Sequence, residues 1–433
     1  LVFGKYPPIQ GGTSSQVLNT VRHLAAAGHR IDVVTNGREA EPGSRAILTN
    51  GDLAFLEALH RVDGPGSISS HHTTPLGSTA YLPWAQPYGS KLFGLGVDLT
   101  RSTSYDLVVG WYFEPYGLVA AQVASAAGVP LLLRHAGSDL ARLSRHPDLR
   151  SAYRWMLGRA EVILTGPRSR RVLTGLGADV ETFRFAGPGS LPDYFTGPPA
   201  PIDVIELKGA ARAAFAATSL RGPVRAMLEG NLEVAPVGPV IGICGKVAES
   251  KGSYDLLLAL ERMAEDGVEF TLLGALGGQE ALLVPWLEAL EATAHLRHRS
   301  IILPLLAPWR MPGFFDACDV VCLLERAFDV ALHRTRVPLE VFQRGRTLVL
   351  SEEMSQKVYF SEKLEDRANY LSVEDPEDTG SLVAVLVEAL TRPDLRDTVA
   401  AGGRRLATAL ASSATVDGPA VAIQAVLTDL AAR

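Results

Sequence analysis

Short apolar runs alternate with amphipathic stretches along most of the chain. LVF opens it, KYPPIQGG is a turn segment, and TSSQVLNTVRHLAAAGH places Val17, Val21 and Leu24 at helical spacing. Thr13 or Ser14 is expected to cap that helix and Gly28 to end it. IDVVT then reads as a second strand. Strand, glycine-rich turn, helix, strand is a βαβ unit, which calls for a buried parallel sheet with a right-handed crossover. The rhythm continues through YDLVVGW, a helix after Pro115, VPLLLR, a helix near Tyr153–Gly158, AEVILTG, a helix over Arg168–Leu176, and VETFRF.

From Gly187 to Pro239 the rhythm breaks in a Pro/Gly-rich stretch followed by an Ala/Arg-rich piece with no strand partner. A second set begins at VIGICG and runs through SYDLLLALERMAEDG, EFTLLGAL, a helix near Trp286–Ala294, SIILPLL, GFFDACDVVCLL, PLEVFQRG and TLVLS to closing helices. The expected class is α/β, with two sequential doubly wound domains over residues 1–188 and 239–412 and a linker region over 189–238. Gly187-Pro188-Gly189 and Pro236–Pro239 are the expected hinges. Open α/β sheets bind ligands at the carboxyl ends of their strands, so the cleft between the domains is the expected site.

Composition narrows the function. Hydrophobic residues at 47% and charged residues at 20% rule out a disordered chain. The 41 basic and 47 acidic residues give a net charge of −6, which speaks against a nucleic-acid partner. Cys244, Cys318 and Cys322 are too few for a disulfide framework and suit a reducing compartment. Tyr116–Leu133 carries no charge, but its Gly128 and Pro130 divide it into a helix, a turn and a strand, so no membrane span is expected. LVFGKYPP has no secretory pattern, and a cytoplasmic monomer or homodimer is expected.

Four polar clusters fall at predicted strand ends. Gly11-Gly12 precedes the first helix, where backbone N–H groups suit a phosphate, or where a tight turn simply needs glycine. It is not the dinucleotide fingerprint, and no acidic residue ends the next strand. In LLLRHAGSDL, His135 could contact a substrate hydroxyl, while Asp139 could contact the acceptor or sugar, orient a neighbour or cap a helix. In ICGKVAESKGSYDLLLAL, Lys246 and Lys251 flank one loop before a helix, a strong diphosphate site in a chain with only seven lysines. In LERAFDVALHRTRVPLEVFQRG, Glu340 begins a helix after Leu339 and could accept both hydroxyls of a ribose, or favour the helix dipole. His333, Arg334 and Arg336 add donors there. Residues 60–100 read as an irregular acceptor wall, in which Trp84 and Tyr88, with Trp111, could stack on a ring or pack as core aromatics. His71-His72 in a Ser/Thr-rich loop is a poor metal site, since adjacent residues point apart.

In this order the four motifs — the PPIQGG loop, H-x-G-S-D, G-K-x-x-x-x-K-G and the PLE helix start — resemble the family-4 retaining glycosyltransferases along nearly the whole chain. The resemblance implies a GT-B fold of two Rossmann-like domains facing across a cleft. It implies a nucleotide-diphosphate sugar, such as a UDP- or GDP-sugar, held mainly by the second domain. No metal and no cofactor beyond that donor are implied. By position, Gly11 and Gly12 look like the loop near the donor phosphates, and His135 like the histidine on the donor sugar. Lys246 and Lys251 match the diphosphate pair, and Glu340 with Leu339 the ribose-binding helix start. The first glutamate of the family's pair should stand eight residues before Glu340, where this chain has Leu332. Glu325 and His333 instead fit a variant pattern, E-R-x-F…H…P-x-E, which implies that they contact the donor. The resemblance further implies that a C-terminal helix, about 413–433, crosses back to the first domain.

The expected function is a retaining, hexosyltransferase-like and metal-independent transfer to a small soluble acceptor, as in natural-product or small-glycoside biosynthesis. The alternatives are a GT-B nucleotide-sugar epimerase and a non-catalytic glycosyltransferase-like partner protein.

Overall fold

The computed structural model describes residues 1–75, 87–199, 202–216, 237–330, 332, 334–412 and 418–433. Two all-parallel sheets organise it. The first contains β1 (Val2–Phe3), β2 (Arg30–Thr35), β3 (Ser67–His72), β4 (Val108–Trp111), β5 (Leu131–Arg134), β6 (Val162–Thr165) and β7 (Phe183–Phe185) in the order 3-2-1-4-5-6-7. The second contains β8 (Val240–Lys246), β9 (Thr271–Gly277), β10 (Ser300–Pro304), β11 (Val320–Leu323), β12 (Thr347–Ser351) and β13 (Leu371–Val373) in the order 10-9-8-11-12-13. Both strand orders reverse at their first strand, beside β4 and β11, and loops leaving those points frame a crevice. The architecture is GT-B.

The apolar runs give central strands buried on both faces, as parallel sheets require. The described parts of residues 60–100 are not the irregular wall expected from the sequence. They include β3, paired in register along β2, and a helix over Tyr88–Ser102. His71 belongs to that edge strand, where its Nε2 lies 2.6 Å from Asp32 Oδ1.

The described residues of the expected linker region pack largely on the second domain. Helix Val204–Ala216 buries Leu207 and Ala211 in that domain's core. Arg344 donates to the Phe195 and Gly197 carbonyls at 2.9 and 3.2 Å, and Arg336 to those of Pro188, Gly189 and Ser190 at 3.1, 3.1 and 2.7 Å. The final helix, Pro419–Ala431, returns to the first domain and buries Ile423 and Val426 against its core. Full burial of each such side chain stabilises by about 1.5–3 kcal/mol. His29 and Gln424 add a 2.6 Å hydrogen bond.

Across the crevice the domains share a buried polar knot. Asp52 Oδ1 accepts from Trp309 Nε1 at 2.7 Å and from Arg310 Nε at 2.6 Å. Arg310 also donates to Thr49 Oγ1 at 3.0 Å. Thr49 and Asp52 form the capping box of helix Asn50–His60, which fixes the carboxylate's direction.

Candidate functional site

A cavity of about 610 Å³ lies between the carboxyl ends of the two sheets. Its lining comes from the segments after β1, β4, β5, β6 and β7, and, in the second domain, from the end of β8, the segment after β10, the stretch Leu332–Glu340 and Tyr359.

Gly11 stands at φ 132°, ψ 161°, a conformation open to glycine alone. The first helix starts at Gly12 and has no side-chain cap. The expected Thr13 or Ser14 cap is therefore corrected: the glycine turn takes the cap position, and Ser14 is fully buried. First-turn N–H groups with no capping side chain lie along the cavity at Gly12 and Thr13, which suits an anion. A Cβ on either glycine would meet no atom within 4 Å, so the turn leaves room for a ligand.

His135 follows β5 and lines the cavity. Its Nε2 lies 2.9 Å from Thr165 Oγ1, and its Nδ1 is buried without a partner among the described residues. Burial, with Arg134 beside it, lowers its pKa to about 3. The imidazole is thus neutral at working pH and acts through hydrogen bonds rather than as a cation. Asp139 holds this turn in place. Its buried carboxylate accepts from the N–H groups of Phe113 at 3.0 Å, Ala136 at 2.9 Å and Leu140 at 3.0 Å. The sugar-contact reading of Asp139 is corrected, because every one of these bonds faces the protein.

Glu340 lines the cavity from the start of helix Val337–Gln343. Burial pushes its carboxyl up to about 7, with the Arg336 guanidinium opposing. Leu339 beside it is buried in the core, so its side chain cannot serve as a donor contact.

Gly11, Gly12, His135 and Glu340 therefore share one cavity, but Lys246 and Lys251 are absent from its lining. Lys246 ends β8 with an exposed side chain. Lys251 is ion-paired with Glu325, and its ammonium sits 4.0 Å from the centre of the Phe328 ring. Gly252 turns the chain there at φ 67°, and a Cβ on it would stand 2.2 Å from the Leu324 carbonyl oxygen, so only glycine allows that approach. Glu325 is 2% exposed and also lies 3.6 Å from Lys357. Its expected donor contact is corrected: it positions lysines from below the surface.

The aromatic readings separate. Trp111 is a core residue, 1% exposed, and not an acceptor platform. Tyr88 lies outside the cavity lining and donates to the Glu39 carbonyl at 3.2 Å. Trp84 and His333 lie outside the described residues. Tyr112, unnoticed in the sequence, does line the cavity and bonds through its hydroxyl to Ser138. Arg134 and Arg168 were also missed, though each follows an apolar strand at its carboxyl end.

Residues 11–181 match the family model for the glycosyl transferase 4-like domain. Over those residues the first domain is similar to the glycosyl transferase 4-like domain. Sucrose-phosphate synthase from Thermosynechococcus elongatus is 15% identical, with a TM-score of 0.62 over 100% of this chain and 98% of its own. HepE from Anabaena, solved with UDP-glucose, is 14% identical, with a TM-score of 0.59 over 100% and 98%. WaaG, a glycosyltransferase of lipopolysaccharide biosynthesis, is 13% identical, with a TM-score of 0.59 over 99% and 100%. These likenesses show one GT-B fold over both halves of the chain. No curated protein sequence matches the chain. Among the described residues, no helix is long and apolar enough to cross a membrane.

Proposed function

We propose that this protein is a retaining glycosyltransferase that moves a sugar from a nucleoside diphosphate to a small acceptor. The observation that carries the reading is the cavity in which the open helix start at Gly11-Gly12, the neutral His135 and the buried Glu340 converge from two domains. Glu340 accepts the ribose hydroxyls, and His135 hydrogen-bonds the donor sugar. Lys246 and Lys251, beside the N-terminus of helix Ser253–Glu265, stabilise charge on the departing diphosphate. The acceptor attacks from the face the diphosphate leaves, and a departing phosphate oxygen takes its proton, so no separate protein base is required. Incubation with UDP- and GDP-sugars and a panel of small acceptors, read by intact mass, tests the reading. Glycosylated product should form with EDTA present. Activity that dies on chelation and returns with Mg²⁺ would remove the charge-neutralising role from the lysines.

Glu340 adds a pH signature. Its folded value of about 7 lies above the ordinary 4.5, so the folded protein holds a proton that the unfolded chain releases between those values. Its contribution to stability is thus lost as pH rises through that window. Ribose hydroxyls donate to the ionised carboxylate, so nucleotide affinity should run the other way. It should rise about tenfold from pH 6 to pH 8, because the protonated fraction disappears over that range. Calorimetry on the wild type and Glu340→Gln measures this, and an equal slope in both proteins would exclude Glu340 as the group responsible.

A further inference from the structure

The cavity lining is unbalanced in charge. It contains Arg134, Arg168, Arg334 and Arg336, against Glu340 as its acidic side chain. Arg336 is engaged, since its N–H groups bond the Pro188, Gly189 and Ser190 carbonyls. The guanidinium groups of the other three make no ion pair or hydrogen bond among the described residues. Arg134 lies with its guanidinium carbon 5.0 Å from the centre of the Trp111 ring, and its Nε is buried without a partner. That packing holds the guanidinium in place. Arg168 sits in the first turn of helix Pro167–Gly175, whose N-terminus has no side-chain cap and opens on the same cavity.

Arg134 is partly buried, and Arg168 and Arg334 border the same cavity with exposed side chains, so like charges crowd one space and an anion seated among them relieves their repulsion. Desolvation and mutual repulsion fit this picture, for burial and then Arg336 lower Arg134, while burial and then Arg168 lower Arg334. In the proposed reading the donor diphosphate meets Lys246 and Lys251, which lie outside this lining, so the anion among the arginines is a different group.

We infer that Arg134, Arg168 and Arg334 form a subsite for a further anionic group, a carboxylate or phosphate carried by a sugar reactant. The inference rests on the proposed nucleotide-sugar chemistry and narrows its substrate class. The group belongs either to the transferred sugar, as in a uronic acid, or to the acceptor, as in a sugar phosphate. Arginine's planar fork suits either anion bidentately.

Calorimetric titrations separate these sources. One arm compares UDP-glucuronate with UDP-glucose, which differ only by the carboxylate. The other compares glucose 6-phosphate with glucose, with and without saturating UDP. The anionic member of at least one pair should bind about tenfold tighter or more. Preference in the first arm places the group on the donor, and preference in the second places it on the acceptor. Arg134→Met, which keeps the contact with Trp111, and the exposed Arg168→Met should each reduce the preference to about twofold while UDP affinity is unchanged. Equal binding within both pairs overturns the subsite, as does loss of UDP affinity in the arginine variants, which would assign these side chains to the diphosphate. Absence of glycosyl transfer with the preference intact would instead sink the transferase reading and leave the anion site standing.

Discussion

Lys251→Ala should lower turnover about a hundredfold, equivalent to roughly 3 kcal/mol of transition-state stabilisation. Charge on the departing diphosphate develops only as the sugar bond breaks, so a fixed ammonium beside it acts mainly on the rate. The ion pair with Glu325 and the Phe328 ring hold Lys251 near a defined place, which lessens the reorganisation needed on reaction. Glu325 keeps Lys357 at 3.6 Å in the variant, so the buried carboxylate does not lose every cation and the protein should still fold. Steady-state kinetics with the best donor, alongside a far-ultraviolet dichroism check, measures the effect. Turnover within twofold of wild type would take Lys251 out of the chemistry.

Asp52→Ala should be the most destabilising single change at the domain boundary, by about 3–5 kcal/mol. Asp52 is 1% exposed, and its Oδ1 receives both Trp309 Nε1 and Arg310 Nε. Alanine removes the closer of two carboxylates from the buried Arg310 guanidinium, leaving Glu206 at 3.2 Å, and also breaks the capping box that starts helix Asn50–His60. Losing a cap alone costs about 1 kcal/mol, so the buried charge dominates. Thermal unfolding should show the midpoint falling by several degrees, with Asp52→Asn falling less because it keeps an acceptor oxygen. A midpoint unchanged in Asp52→Ala would mean that the knot does not hold the domains together.

The parts of the fold legible in the sequence are those whose local pattern matches their burial. Continuous runs such as VIGICG and TLVLS sit in parallel strands covered on both faces, so apolar character alone marks them. β3 was hidden because SISSHH lies at a sheet edge and is mostly polar, leaving no alternation to read. The first helix start was misplaced because Ser and Thr favour caps, while an unusual glycine conformation decided the matter. Within the site, Gly11, Gly12, His135 and Glu340 could be found because each stands at the end of a recognisable strand or helix. Glu325 was misread because its partner Lys251 lies 74 residues away, and sequence spacing carries no sign of burial. The arginines gather from three separate segments, a convergence that only the sheet topology produces.

A crystal structure with the nucleoside diphosphate that binds most tightly in calorimetry tests the central claim most directly. The account predicts ribose hydroxyls on Glu340, with the diphosphate between the Gly11-Gly12 helix start and the Lys246–Lys251 loop. Nucleotide bound outside this interdomain cavity, or ribose turned away from Glu340, would contradict it.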